Sequence, residues 1–150
     1  MTALFKKLNL GSHDVIHIIN SPDSFEPELA RLSGVTVKRA LSGRVEFAMA
    51  FVVTQKDLDS ASIKLVKTLV EGDAIVWMAY PKGSSKKHKC EFNRDSGWQV
   101  LQNAGFDTVR MVAIDEDWSA LRFRRVEFIK TMERRESFAQ TKDGKAKTKK

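Results

Sequence analysis

Residues 74–79, AIVWMA, form an unbroken apolar run with no charge on either face of an extended chain. A strand of that kind has to be covered on both sides, which places it in the middle of a parallel sheet flanked by helices. Tyr80 and Pro81 stop it, and five cationic or imidazole side chains follow between Lys82 and Lys89. A buried strand therefore delivers a basic loop to its C-terminal end, where open α/β sheets bind ligands.

The rest of the chain keeps a strand–helix rhythm around that strand. Residues 2–10 read as a short leader, with Leu4, Phe5 and Leu8 to pack and Lys6 and Lys7 to face water. Residues 14–20 (DVIHIIN) read as the first strand. Ser21, Pro22 and Asp23 make a turn, and Asp23 or Ser24 is placed to cap a short helix through about Leu32. A second strand opens at Val35 and a third covers residues 45–53 (VEFAMAFVV).

Only residues 38–44 link those two strands, too few for a crossover helix. An extended chain advances at most about 3.3–3.6 Å per residue. Either the second strand is very short and this half of the sheet is truncated, or the two strands form an antiparallel hairpin around Ser42 and Gly43. Truncation is the preferred reading.

Downstream the pattern is more regular. Thr54 with Asp57 three residues on resembles a capping box. Leu58, Ala61, Ser62, Leu65, Val66 and Leu69 mark one face of a helix that ends at Glu71 and Gly72. Beyond the basic loop, Asn93 is placed to cap a helix containing Trp98, Leu101 and Ala104, closed by Gly105. Residues 108–114 are another strand. Asp115 to Trp118 is too short for a parallel crossover, so residues 120–128 return antiparallel, as an edge strand with one wet face and a break in phase near Arg125.

The formal charge of +7 is unevenly spread. Residues 131–150 hold seven Lys/Arg against three Asp/Glu, whereas residues 1–130 hold 19 against 16, so the globular part is barely basic. The single cysteine, Cys90, excludes an internal disulfide and fits a reducing compartment. No apolar run approaches membrane-spanning length and the first residues lack a secretory apolar core, so a cytoplasmic protein with no membrane partner is expected.

The order strand, helix, LVEGDAIVWMAYPK, helix, strand, antiparallel strand resembles the C-terminal half of class I S-adenosylmethionine-dependent methyltransferases. Residues 112–123, VAIDEDWSALRF, are similar to the signature D-x-x-W-S-x-L-[KR]-F of a family of small bacterial proteins of unknown function. Asp115, Trp118, Ser119, Leu121, Arg122 and Phe123 fill it. The resemblance covers most of residues 1–128. It implies an α/β fold: a truncated Rossmann-like three-layer sandwich, its sheet mostly parallel with an antiparallel C-terminal edge strand. That domain is expected over residues 1–130, with a polar helix extension and a disordered Lys-rich tail over 131–150.

Two departures from the methyltransferase pattern stand out. A nucleotide-binding first loop needs glycines so that backbone approaches the ligand, and residues 19–25 (INSPDSF) contain none. Lys38 and Arg39 replace the acidic residue that would hold ribose hydroxyls after the second strand. In the basic loop, Gly83, Ser84 and Ser85 offer hydrogen-bond donors and Lys86 and Lys87 supply charge for an anion, without Walker A spacing.

Other residues carry less chemistry. His13, His17 and His88 lack partners at metal-ligand spacing, and no metal is implied. Cys90 has no histidine relay, Ser84 and Ser85 lack a nucleophile elbow, and Asp115 and Asp117 read as turn formers. Arg122, Arg124, Arg125 and Lys130 form a basic stripe for phosphates, but no nucleic-acid recognition motif accompanies it.

The resulting expectation is a non-catalytic or cryptic binding module for a small anionic ligand or a protein partner. Its pocket is expected between the ends of the first, third and fourth strands, lined by Asn20, Ser21, Thr54, Tyr80, Lys82, Ser84, Ser85 and Trp118. The alternatives are a methyltransferase-like enzyme using S-adenosylmethionine, and an accessory protein making weak, nonspecific nucleic-acid contact through the basic tail. The catalytic residues and the cofactor stay open.

Overall fold

The computed structural model describes residues 3–69, 71–83, 85, 89, 90, 92 and 96–129. Ser84, Lys86, Lys87, His88, Asn93, Lys130 and residues 131–150 lie outside the described residues, and with them half of the basic loop, one expected helix cap and the expected tail. The elements run α1 (Ala3–Lys7), β1 (Val15–Ile19), a 3-10 turn (Asp23–Phe25), α2 (Glu26–Ala30), β2 (Thr36–Lys38) and β3 (Phe47–Phe51). They continue through α3 (Gln55–Thr68), β4 (Ile75–Pro81), α4 (Gln99–Asn103), β5 (Phe106–Ala113), β6 (Trp118–Arg125) and a closing 3-10 turn (Val126–Phe128). No helix among the described residues is long and apolar enough to cross a membrane.

The sheet has six strands in the order β2-β1-β3-β4-β6-β5. β2, β1, β3 and β4 run parallel, and β6 pairs antiparallel with both β4 and β5. This is the truncated, mostly parallel α/β architecture expected from the sequence. Every residue of β4 is buried, as its continuous apolar run requires. The antiparallel edge is a hairpin in which β5 lies outermost, so residues 120–128 do not form the rim. β6 is inner because it pairs on both sides, and its chain leaves the ladder at Arg125 for the 3-10 turn.

Two apolar layers cover the sheet. Phe5, Leu8, Leu10, Phe25 and Leu29, from α1, the segment after it, the first 3-10 turn and α2, bury Ile16, Ile18, Phe47, Met49, Phe51, Trp77 and Trp118 on one face. Leu58, Ala61 and Leu65 of α3, with Trp98 and Leu101, bury Ala48, Ala50, Val76, Met78, Leu121 and Phe123 on the other. Val66 is the exception on α3, 38% exposed at the flank of the expected stripe. The buried Trp77 indole donates from Nε1 to the Leu8 carbonyl at 2.9 Å, which fixes the segment after α1 onto the sheet.

The short link between β2 and β3 is resolved by register. His17 stands level with Lys38 on one side and with Ala48 on the other. The chain leaving β2 therefore re-enters the sheet at almost the same height, one residue below. It has only to cross β1, about 10 Å of lateral travel at ~4.8 Å per strand. Residues 39–46 do so over the α3 face, where His17 Nδ1 donates to the Ala40 carbonyl at 3.0 Å and Leu41 packs into the core. Because a carbonyl only accepts, that bond places the proton on Nδ1.

Helix starts are less uniform than expected. Thr54 Oγ1 accepts the Asp57 N–H at 3.0 Å, a conventional N-cap for α3. Asp23 and Ser24 cap nothing: the short helix starts as a 3-10 turn after Pro22, without a side-chain cap. α4 begins after Trp98, also without one.

Candidate functional site

In the order β2-β1-β3-β4 the sheet is built outward in both directions from the β1/β3 pair. The β1-to-β2 connection places α2 on one face and the β3-to-β4 connection places α3 on the other. The ends of β1 and β3 are thus the topological switch point, where open α/β sheets bind ligands. Beside it lies a cleft of about 400 Å³ lined by Ile19 and Asn20 at the end of β1, Arg39, Ala40 and Leu41 of the crossing segment, and Asp57, Ser60, Ala61 and Lys64 of α3.

Each wall has a local cause. Asn20 takes a left-handed backbone conformation, φ 57°, which asparagine adopts more readily than other side chains that carry a Cβ. The positions 57, 60, 61 and 64 recur at helical spacing and form one flank of α3 beside its buried stripe. The crossing segment takes the space that a longer connection would give to a helix.

The cleft rim holds a tight polar triad. Arg39 donates from Nη2 to Glu26 Oε1 at 2.7 Å, and from Nη1 to Glu26 Oε2 at 2.9 Å and Ser21 Oγ at 3.0 Å. Ser21 Oγ donates to Glu26 Oε2 at 2.6 Å. The hydrogen bond from Arg39, then that from Ser21, holds the Glu26 carboxyl down to about 2, and the same pairing raises the Arg39 pKa. Lys64 lines the opposite wall and has no ion pair among the described residues. Asp57 supplies the one carboxylate of the lining.

The residues expected to share a pocket are dispersed. Asn20 lines the cleft and Ser21 belongs to its rim triad. Thr54 caps α3. Tyr80 is buried against Phe92 and Trp98, and its hydroxyl reaches Met111 Sδ at 3.6 Å. Trp118 is buried edge-on to Phe51, with ring centroids 5.2 Å apart. Lys82 and Ser85 are tied to the hairpin turn: the Lys82 N–H donates to the Asp117 carbonyl and Ser85 Oγ to Asp117 Oδ1, both at 2.8 Å. Ser84 lies outside the described residues.

The turn aspartates do structural work. Asp115 Oδ1 accepts the N–H groups of Asp117 and Trp118 at 2.8 and 2.9 Å, an Asx turn that closes the β5–β6 hairpin. The basic stripe is split. Arg125 lies over the Phe106 ring and donates to the Gly72 carbonyl, while Arg124 pairs with Asp73. The single cysteine, Cys90, packs half-buried against the α3-side core.

Sequence reasoning missed most of the cleft. From sequence, Arg39 reads as part of the Lys38–Arg39 replacement of an acidic residue, Ala40 and Leu41 as linker, and Ala61 as part of the apolar stripe of α3, while Ser60 and Lys64 carry no signal. The available signal was the 57-60-61-64 spacing on the flank of α3. The meeting of that flank with the 39–41 segment depends on the crossing of β1 and is invisible in one dimension.

No protein-family model matches the chain, and no curated protein matches it. Among solved structures it is similar to an N-methyltransferase, NodS, from Bradyrhizobium japonicum WM9, at 16% identity and TM-score 0.46 over 81% of this chain and 92% of that one. It is also similar to a ribosomal protein L11 methylase from Lactobacillus delbrueckii subsp. bulgaricus, at 11% identity and TM-score 0.48 over 81% and 76% of the two chains. A SAM-dependent methyltransferase from Aquifex aeolicus aligns at 11% identity and TM-score 0.44 over 81% and 87%. Likenesses at this level do not bear on activity, and the Rossmann-like assignment rests on this chain's own strand order and register.

Proposed function

We propose that the protein is a binding module for a small anionic ligand that sits in the cleft beside the β1/β3 switch point. The observation that carries this reading is the pair of cationic walls, Arg39 and Lys64, facing a cleft with an apolar floor of Ile19, Leu41 and Ala61. Lys64 is the charge left for a ligand, because Arg39 is already braced by Glu26. Bracing fixes the guanidinium in place, so a ligand anion meets a pre-positioned donor and not a mobile side chain. Asp57 and Ser60 add acceptors, which suits an anion that also carries hydroxyl or amino donors.

A second reading, an adenosyl cofactor of the S-adenosylmethionine type, is favoured by one feature. Asn20 keeps, in a glycine-free first loop, the left-handed backbone conformation that a glycine would otherwise supply. Against it stands Arg39 where ribose hydroxyls need a carboxylate.

Thermal unfolding with S-adenosylmethionine, S-adenosylhomocysteine, adenine nucleotides and inorganic phosphate separates the two readings. A ligand at 100 times its Kd adds about 2.7 kcal/mol, which moves the midpoint by roughly 5–10 °C in a chain of this size. The anion reading predicts a shift with a phosphate-bearing compound that Lys64→Ala reduces. A shift with the adenosyl compounds alone favours the cofactor, and no shift with any of the panel sinks both.

A further inference from the structure

At the far edge of the sheet, β5 and β6 carry a second cationic cluster, on the opposite face from the cleft. Asp107 stands opposite Arg124 and Thr108 opposite Phe123; then Val109 is skipped and Arg110 stands opposite Arg122. A regular ladder would pair Val109 with Arg122 and turn Arg110 to the other face. The one-residue bulge reverses this and sets two arginines side by side. Val112 opposite Ala120, two residues further along, lies in the apolar layer under α1 and α2, which identifies the face the two arginines share.

Placing like charges directly opposite on a ladder is unfavourable. Arg122 is also half-buried, and its Nε has no hydrogen-bond partner. Among the described residues neither Arg110 nor Arg122 makes an ion pair. The nearby carboxylates are engaged elsewhere. Asp73 accepts from Arg124 Nε at 2.8 Å and from its Nη2. Asp107 is fully buried, with Oδ1 accepting the Thr108 N–H at 2.8 Å. Burial, and after it the charge of Arg124, pushes the Arg122 pKa down; Arg110 adds to this and Asp73 opposes it. A half-buried guanidinium beside a second one, with an unmet N–H, is unfavourable unless an anion completes it.

We propose that Arg110 and Arg122 form an oxyanion site for a phosphate group on the β5–β6 hairpin, separate from the cleft and independent of the reading given to it. Two guanidinium forks present more donors than one carboxylate has oxygens to accept, and the tetrahedral phosphate matches them better. Bound there, it cancels the Arg110–Arg122 repulsion and gives Arg122 Nε an acceptor. The phosphate comes either from a free small molecule or from a nucleic-acid backbone.

The test is calorimetric titration of the full chain with inorganic phosphate and with single-stranded oligothymidine, at fixed ionic strength, for the unmodified protein and for R110Q, R122M and K64A. The expected result is a phosphate-binding step that persists in the cleft variant K64A and that R110Q or R122M weakens at least about tenfold, the loss of a charge-assisted contact. Oligothymidine binding tighter than phosphate with the same arginine dependence assigns the source to nucleic acid; the reverse order assigns it to a free phosphate. Equal phosphate affinity in the unmodified protein and R110Q, or no binding at all, overturns the proposal. Arg110 is exposed, so R110Q keeps the test valid even if R122M folds poorly. Without phosphate, R122M is expected to melt no lower than the unmodified protein, because it removes an uncompensated charge; a lower midpoint contradicts that account.

Discussion

Replacing Gly97 by alanine tests how tightly the segment after the basic loop is locked onto α3. Gly97 has φ +99°, and a Cβ there would sit 2.7 Å from Phe92 Cβ and 2.9 Å from Gln55 Oε1. Gln55 is not free to yield, because its Nε2 donates to the Gly97 carbonyl at 2.8 Å and to Asp59 at 2.9 Å. Nor is Phe92, which packs edge-on against Trp98 in the core. The backbone conformation alone costs of order 1–3 kcal/mol for a non-glycine residue. Loss of the Gln55 bond adds about 1 kcal/mol. A total of roughly 2–4 kcal/mol corresponds to a fall in Tm of about 5–15 °C for a chain this long.

Gly105 provides the control, with φ +89° and nothing within 4 Å of its added Cβ. Gly105→Ala therefore reports backbone strain with no crowding. Thermal unfolding followed by circular dichroism should show Gly97→Ala falling several degrees further than Gly105→Ala. Equal falls, or a Gly97→Ala midpoint within a degree of the unmodified protein, would refute the claim that Phe92 and Gln55 close on this position.

Three further outcomes are expected. The Glu26 carboxyl, held near 2 by Arg39 and Ser21 against an ordinary 4.5, contributes stability above about pH 4.5 that is lost as pH falls toward 2. A carbon-detected titration should find its midpoint well below the usual glutamate range, and Arg39→Ala should return it there. Thr54→Ala removes the N-cap of α3 and should cost about 1 kcal/mol in chemical denaturation; no change would mean that Asp57 N–H finds water instead. Trp77→Phe leaves the Leu8 carbonyl without its buried donor and should cost roughly 1–3 kcal/mol, with the loss of hydrogen-exchange protection concentrated over residues 3–10.

Legibility in the sequence followed the range of the interaction. The β4 strand was plain because burial on both faces leaves a continuous apolar run, and α3 was plain because its cap and buried stripe are local. The shortness of β2 followed from chain length, since seven linking residues cannot hold a crossover helix. What escaped detection was register. That His17 aligns Lys38 with Ala48, and that Val109 is skipped so that Arg110 meets Arg122, are non-local pairings with no one-dimensional signature. The expected site suffered for the same reason. Tyr80 and Trp118 sit next to strand ends in sequence, yet their side chains turn into the core, while Arg39 and Lys64 meet across the cleft only because residues 39–46 pass over β1. The Arg39–Glu26–Ser21 triad likewise joins positions 18 and 13 residues apart.

The most direct measurement is amide chemical-shift mapping of the full chain against whichever panel compound raises its melting midpoint. The account predicts perturbations grouped at Asn20, Arg39, Ala40, Leu41, Ser60 and Lys64, lost in Lys64→Ala. Perturbations grouped instead around Lys82, Ser85 and Asp117, with those cleft residues unmoved, would contradict it.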